Sequence, residues 1–216
     1  MGWTKNNAAL GQGIPGTATF TSTTVPGSLI ICMAMVNNNR GFSTPTDTAG
    51  NLYVDCGAGL VKDVSGYYVM EMFYALNTSS TASNVVSVAS SSAGGAVSVL
   101  ASEWLGRAKA SPVDQFTTVS DGNTGTGGGN NCPVGPVTTL YAGELVVAFG
   151  DIWGCSSCGP GYLPVLGGFY EDEYLVQNIA GPISANWPSS YNNYLYQAIL
   201  CTFRPLPNPA PRTIWI

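Results

Sequence analysis

Short apolar runs of strand length, bounded by turn-forming residues, constrain the fold of this chain most. The clearest is SLIICMAMV at residues 28–36, which follows Pro26-Gly27 and ends at Asn37. A nearly continuous apolar run of this length is typical of a strand buried on both faces and is short for a helix. Similar runs recur at residues 67–76, 96–104, 144–150 and 195–203.

The spacing of these runs predicts the fold class. Roughly eight to ten strands, with no amphipathic helix between them, favour an all-β fold, a two-sheet antiparallel β-sandwich that is jelly-roll-like. We expect an N-terminal arm and first strand at residues 1–25, the sandwich at 26–204 and an extended, proline-rich C-terminal arm at 205–216. Residues 83–89 and 96–104 predict a hairpin around Gly94-Gly95, and 120–131 (SDGNTGTGGGNN) predict a flexible loop.

Charge is scarce, which argues against several partners. Charged residues are 9% of the chain and the net charge is −5, whereas a typical soluble domain has about 25% charged residues. The seven Lys and Arg residues are scattered, so we expect no nucleic acid partner. No run is apolar over the roughly 18–20 residues that span a bilayer. Residues 1–10 lack the features of a secretory signal, so we expect production without export or a removed signal.

Catalytic side chains are also scarce. The sequence has no histidine, so Ser-His-Asp and Cys-His mechanisms are excluded within it. Glu71 and Glu103 lie in apolar strands and are the candidate acid pair for a glycosidase. The simpler interpretation is a structural ion pair, with Arg107, Arg204 or Lys109 as the partner, or an edge position, and ligand binding is a third alternative. Residues 171–173 predict a solvated acidic loop, with a calcium site as the alternative. We expect no enzyme activity, no cofactor and no metal.

The six cysteines allow 15 pairings when all are paired. Cys155 and Cys158 occur in GCSSCGP, for which we expect a local disulfide or two thiols, because no histidine or second CxxC completes a zinc site. Cys32 and Cys201 lie in apolar runs and are predicted to be buried core residues.

Two further groups of residues are candidates for binding. Aromatic rings stack on sugars, and the aromatic residues considered for glycan contact are Trp153, Tyr162, Tyr170, Trp187, Tyr191 and Tyr194. The C-terminal arm combines regularly spaced prolines with an apolar tip, a pattern suited to strand addition on a neighbouring molecule. The alternative is a linker or a segment folded back on its own domain. The arm residues are Pro205, Pro207, Pro209, Pro211, Ile214, Trp215 and Ile216.

Four short motifs carry a family resemblance. They are GNLY at residues 50–53, FYA at 73–75, EWLG at 103–106 and CTFR at 201–204. In this order they resemble a recurrent bacterial extracellular and phage β-sandwich module, over about residues 26–205. The resemblance implies a jelly-roll or concanavalin-like sandwich found in surface, adhesive or virion proteins.

These observations favour a non-enzymatic assembly protein. We expect a virion component, such as a capsid decoration or tail protein, or the subunit of an extracellular fibre. Its partners would be copies of itself or other virion or surface proteins, and its location the virion or the extracellular or cell surface. The alternative is a secreted carbohydrate-binding or adhesin module with glycans as ligands.

Overall fold

The computed structural model describes residues 2–37, 40–62, 67–77, 79–92, 94–107, 110–123, 130–152, 154–167, 171–190 and 195–206. In this part of the chain every regular element is a β-strand, which confirms the all-β prediction. No helix among these residues is long and apolar enough to cross a membrane. The strands are β1 Thr4–Gly13, β2 Gly16–Thr19, β3 Leu29–Asn37, β4 Thr46–Asp47, β5 Tyr53–Asp55, β6 Val61–Lys62, β7 Tyr68–Leu76, β8 Val85–Val88, β9 Val97–Leu105, β10 Val113–Asn123, β11 Asn130–Thr138, β12 Glu144–Asp151, β13 Leu163–Pro164, β14 Asp172–Gln177, β15 Pro182–Ser189 and β16 Leu195–Phe203.

The strands of the described residues form four antiparallel sheets. Sheet 1 has the order β1-β9-β3-β7-β5, with β6 also paired to β7, and sheet 2 has the order β10-β16-β12-β14-β13. Sheet 3 is β2-β8-β4 and sheet 4 is β11-β15. Two sheets were expected from the sequence, so the two small sheets are additional elements.

Strand β3 explains the long apolar run, because both of its faces are buried. Leu29, Ile31 and Met33 belong to a cluster that we call core A, which combines side chains of sheets 1 and 2. Ile30 and Cys32 point the other way into core B, which combines sheets 1 and 3. Burying one such side chain stabilises the fold by about 1.5–3 kcal/mol. A polar residue at any of these positions would therefore destabilise the fold, because it would lie in core A or in core B.

The same arrangement recurs in sheet 2. Val147 of β12 and Ile199 of β16 contribute to core A. Val146 and Leu200, their neighbours in the chain, belong to core C, which combines sheets 2 and 4. The period-two alternation of a strand sends successive side chains to opposite faces, so apolar residues at every position supply both cores.

Three local expectations are corrected by strand pairing. Residues 4–13, expected within an N-terminal arm, form β1 and pair with β9 at the edge of sheet 1. The hairpin around Gly94-Gly95 is absent, because β8 pairs with β2 and β4 whereas β9 pairs with β1 and β3. Residues 120–123 and 130–131, expected in a flexible loop, belong to β10 and β11. Residues 124–129 lie outside the described residues.

Candidate functional site

An apolar groove at one edge of sheet 1 is the strongest candidate for a binding surface. Leu52 is 86% exposed and Val54 is 47% exposed, whereas Tyr53 between them is 5% exposed. Alternation in β5 thus buries one side chain in core B and presents the next to solvent. Natural proteins usually protect sheet edges with charged residues, proline or very short strands. Here the edge strand is short, but the side chains that flank it are apolar.

Residues from β7 complete this surface. Tyr74 and Leu76 lie beside Leu52 and Val54, with Gly50 at one end, and enclose a volume of about 470 Å³. We call the surface formed by these five residues the β5 groove. The Tyr74 ring is anchored against Phe203 of sheet 2, with the ring centroids 6.2 Å apart. The groove therefore has an apolar, uncharged lining and a fixed wall.

A hydrogen-bonded turn holds Leu52 in its exposed position. Asp47 Oδ1 accepts the backbone N–H of Asn51 at 2.9 Å, and Oδ2 accepts the Asn51 amide at 2.8 Å. Oδ2 also accepts the Tyr53 hydroxyl at 3.0 Å and the Asn84 amide at 3.0 Å. Gly50 has a φ of 75°, which glycine adopts without strain. Four hydrogen bonds to the Asp47 carboxylate therefore hold the turn that leads into β5.

The outer edge of β5 is open within the described part of the chain. The strand pairs with β7 on one side and ends the strand order of sheet 1. An open edge offers backbone N–H and C=O groups to an added strand, while the adjacent pockets select its side chains. The β5 groove and the open edge together fit an extended apolar segment.

A second cavity lies at the opposite edge of sheet 1, against sheet 2. It encloses about 300 Å³, and its lining includes Leu10, Leu100, Phe149, Glu171 and Asp172. Burial raises the pKa of Glu171 to about 7 and that of Asp172 to about 8. At neutral pH these carboxyl groups carry a proton for much of the time and act as hydrogen-bond donors. The cavity can hold a small apolar molecule with a hydrogen-bond acceptor.

The last two residues of the acidic segment 171–173 are buried in a strand and do not belong to the solvated loop expected from the sequence. Asp172 and Glu173 start β14 and are both buried. Asp172 Oδ2 accepts the Leu166 N–H at 3.0 Å, and Glu173 Oε2 accepts the Gly159 N–H at 2.6 Å. Among the residues that the structure describes, no group of three or more cysteine, aspartate or glutamate side chains is arranged to hold a metal ion.

The two glutamates considered as a glycosidase pair lie far apart. In β3, Ala34 is the register partner of Glu71 and Ile30 is that of Glu103, on opposite sides of the strand. Four residues along β3 separate the partners by about 13 Å, and two strand spacings add about 10 Å across the sheet. Paired glycosidase carboxyls lie about 5–9.5 Å apart, so the structure does not bring these two together.

Each of the two glutamates has another partner. The Glu71 carboxyl forms a hydrogen bond with that of Asp55, and burial, followed by this neighbour, raises the pKa of Glu71 to about 8. Glu103 is fully buried, and its carboxylate accepts hydrogen bonds from two asparagine amides, the Ser28 hydroxyl and the Val25 N–H. Sequence reasoning expected an arginine or lysine partner for these acids and missed Asp55, which no spacing rule connects to Glu71.

The predicted glycan contacts are only partly covered by the described residues. Trp187 is fully buried in core C, and Tyr162 is buried with its hydroxyl donating to the Ser184 carbonyl at 3.1 Å. Neither ring presents a face to solvent. The remaining four predicted residues, Trp153, Tyr170, Tyr191 and Tyr194, lie outside the described residues, and their role stays a prediction.

All six cysteines are thiols in the structure. Cys155 and Cys158, the predicted local pair, are partly buried, and Cys155 Sγ donates to the Ser157 carbonyl at 3.4 Å. Burial raises the pKa of Cys155 to about 12 and that of Cys158 to about 11. Both groups are therefore protonated, poorly nucleophilic thiols at neutral pH.

The start of the C-terminal arm is anchored at one corner of sheet 1. Pro205 forms an isolated bridge with Arg107, and the Leu206 N–H donates to the Gly106 carbonyl at 2.6 Å. Arg204 forms an ion pair with Asp114 at 3.3 Å. The rest of the arm, which includes Pro207, Pro209, Pro211, Ile214, Trp215 and Ile216, lies outside the described residues.

Comparison with family models and with curated proteins found no relative of this chain. No family model matches the chain, and no curated protein matches it. The resemblance to a bacterial extracellular and phage module therefore stays a prediction based on short motifs.

Proposed function

We propose that this chain is a non-enzymatic assembly protein, either a virion component such as a capsid decoration or tail protein, or the subunit of an extracellular fibre. In this proposal the C-terminal segment of one copy binds the β5 groove of another copy. A jelly-roll-like sandwich made by sheets 1 and 2 is part of the proposal, supported by the side chains that both contribute to core A. The observation that carries the proposal is the exposed apolar groove beside an open sheet edge.

The chemistry of the segment matches that of the groove. Residues 213–216 are Thr-Ile-Trp-Ile, which favour a strand and carry apolar side chains. Added alongside β5, such a strand makes backbone hydrogen bonds and places alternate side chains over Leu52 and Val54. Fully burying an exposed aliphatic side chain contributes about 1.5–3 kcal/mol. Leu52 can contribute most of this amount, whereas Val54, which is 47% exposed, can contribute about half. The uncharged lining adds no cost of charge desolvation.

The point where the described chain ends is close to the groove. Leu206 is held at Gly106, next to the end of β9. The register pairs Trp104 of β9 with Leu29, and Leu29 with Leu76 of the groove, so Leu76 lies about 10 Å from Trp104 across two strand spacings. Gly106 follows Trp104 by two residues. Residues 207–216 span about 31 Å when extended, and in this proposal that length carries the segment to the groove of an adjacent copy.

Light scattering over a range of concentrations tests the proposal. We expect the full chain to form oligomers or filaments, and a chain lacking residues 207–216 to be a monomer. Leu52→Asp should also give a monomer, because it places a charge in the groove. Leu163→Asp is the matched control: this leucine is 56% exposed on edge strand β13 of sheet 2, and its substitution should leave assembly unchanged.

Three results would contradict the proposal. A full chain that is monomeric at every concentration would exclude assembly. A segment that folds back on the groove of its own chain would give this result. An unchanged mass after the deletion excludes the segment. Assembly that needs the segment but tolerates Leu52→Asp places the acceptor somewhere other than the β5 groove.

A further inference from the structure

Two thiols from different sheets meet inside core A. Cys56 and Cys201 are both buried and belong to this cluster. The Cys56 thiol also contributes to the raised pKa of the Cys201 thiol, as expected for two neighbouring side chains of this cluster. The other buried cysteines are separated from this pair, since Cys32 lies in core B and Cys132 in core C.

The backbone around each thiol is well supported. Cys56 follows β5, and its N–H donates to the Met72 carbonyl at 3.0 Å, so it is held at the edge of sheet 1. Cys201 lies in β16, between Val147 of β12 and Phe116 of β10. Cys201 is therefore positioned by strand pairing on both sides, and Cys56 by its backbone hydrogen bond to β7.

Sheets 1 and 2 approach each other closely where they enclose core A. Cα atoms of β16 come within 8 Å of Cα atoms of β6 and β7, whereas stacked sheets are usually about 10 Å apart. The ring of Phe116, the strand neighbour of Cys201, lies against Gly57, the residue after Cys56. A disulfide needs Cα atoms about 4.4–6.8 Å apart, and sheets that converge in this way favour that separation.

We propose that Cys56 and Cys201 form a disulfide that joins sheet 1 to sheet 2 when the chain folds in an oxidising environment. The oxidant is a small-molecule disulfide such as oxidised glutathione. One cysteine thiolate attacks it, forms a mixed disulfide and releases one thiol. The second cysteine thiolate then attacks the cysteine sulfur of the mixed disulfide and releases the other thiol. The two cysteines lose two protons and two electrons, and the oxidant becomes two thiols.

Burial determines when this bond forms. It raises the pKa of the Cys201 thiol well above its usual range, so the thiolate is rare in the folded chain at neutral pH. Reaction with an external oxidant is then slow in the native state and faster during folding, when both thiols are accessible. The inference is independent of the proposed assembly function, because it concerns core A and not the β5 groove.

Oxidative refolding followed by peptide mapping tests the disulfide. The full chain is unfolded under reducing conditions, refolded in a glutathione redox buffer, alkylated and digested without reduction. Trypsin leaves Cys56 as the only cysteine of residues 41–62, and chymotrypsin cleavage after Tyr196 and Phe203 isolates Cys201 in residues 197–203. We expect a linked peptide that contains both, two hydrogens lighter than the sum of its parts.

Variants separate this bond from the local cysteine pair. A Cys155→Ser, Cys158→Ser double variant should keep the linked peptide, and Cys201→Ser should lose it and leave Cys56 open to alkylation. The oxidised wild-type chain should also unfold at a higher urea concentration than the reduced chain. Complete alkylation of Cys56 and Cys201 in the oxidatively refolded wild-type chain, or linkage of Cys56 to another cysteine, would overturn the proposal even if a variant fails to fold.

Discussion

Replacing Glu103 by glutamine should strongly destabilise this protein. The carboxylate accepts hydrogen bonds from the amides of Asn6 and Asn7, each at 2.6 Å, from the Val25 N–H at 2.7 Å and from the Ser28 hydroxyl at 2.6 Å. Glutamine keeps the shape but presents an NH₂ group where two of these donors point. Two hydrogen bonds to a charged acceptor are lost, at about 1.5–3 kcal/mol each, so the expected loss is about 3–6 kcal/mol.

Urea unfolding followed by tryptophan fluorescence at neutral pH measures this loss. A domain has a free energy of unfolding of about 5–15 kcal/mol, so Glu103→Gln should lower the unfolding midpoint greatly or leave the chain unfolded. Glu171→Gln is the matched control. Because burial raises the pKa of Glu171 to about 7, its neutral form is already well populated, and the substitution should cost under about 1 kcal/mol. A Glu103→Gln midpoint equal to that of the control would refute the reasoning.

Two further predictions concern buried groups. Because the pKa of Glu71 is raised to about 8, its contribution to stability is complete below about pH 4 and is lost as the pH rises through 8. The urea midpoint should therefore fall between about pH 5 and pH 9, and fall less in Glu71→Gln; equal slopes would exclude this carboxyl as the cause. Trp104 Nε1 donates to Ser102 Oγ at 2.9 Å, whereas Trp187 Nε1 has no hydrogen-bond partner among the described residues. In urea unfolding, Trp104→Phe should cost about 0.5–1.5 kcal/mol more than Trp187→Phe, and equal losses would contradict this assignment.

Individual strands were predictable because their pattern is local. The run at residues 195–203 is the strand Leu195–Phe203, and the run at 28–36 is Leu29–Asn37 displaced by one residue. Apolar side chains at successive positions are stable only when both faces of a strand are covered. That requirement can be recognised in the sequence before the covering layers are known.

Strand partners were harder to predict, because pairing is decided over long sequence distances. Residues 83–89 and 96–104 are neighbours in the chain and suggested a hairpin, but β9 has both edges occupied by β1 and β3. Strand β8 pairs instead with β2 and β4 of sheet 3. The polar composition of residues 1–27 likewise concealed β1, an edge strand with few buried side chains.

The candidate site was missed for a related reason. Exposure of Leu52 and Val54 depends on which neighbours cover them, and the sequence does not show those neighbours. A leucine in a buried strand and a leucine at an open edge look the same in sequence. The same holds for Cys56, which shares core A with Cys201 only because sheets 1 and 2 pack together.

The sequence by itself determined the all-β class, the positions of the long central strands and the scarcity of catalytic side chains, because these follow from residue type and local periodicity. Only the tertiary structure decided that four sheets build three cores, that Glu103 is surrounded by donors, that Glu71 and Asp55 are paired, and that the β5 groove remains uncovered. Each of these depends on contacts between distant residues, and burial, pKa and exposure are properties of those contacts.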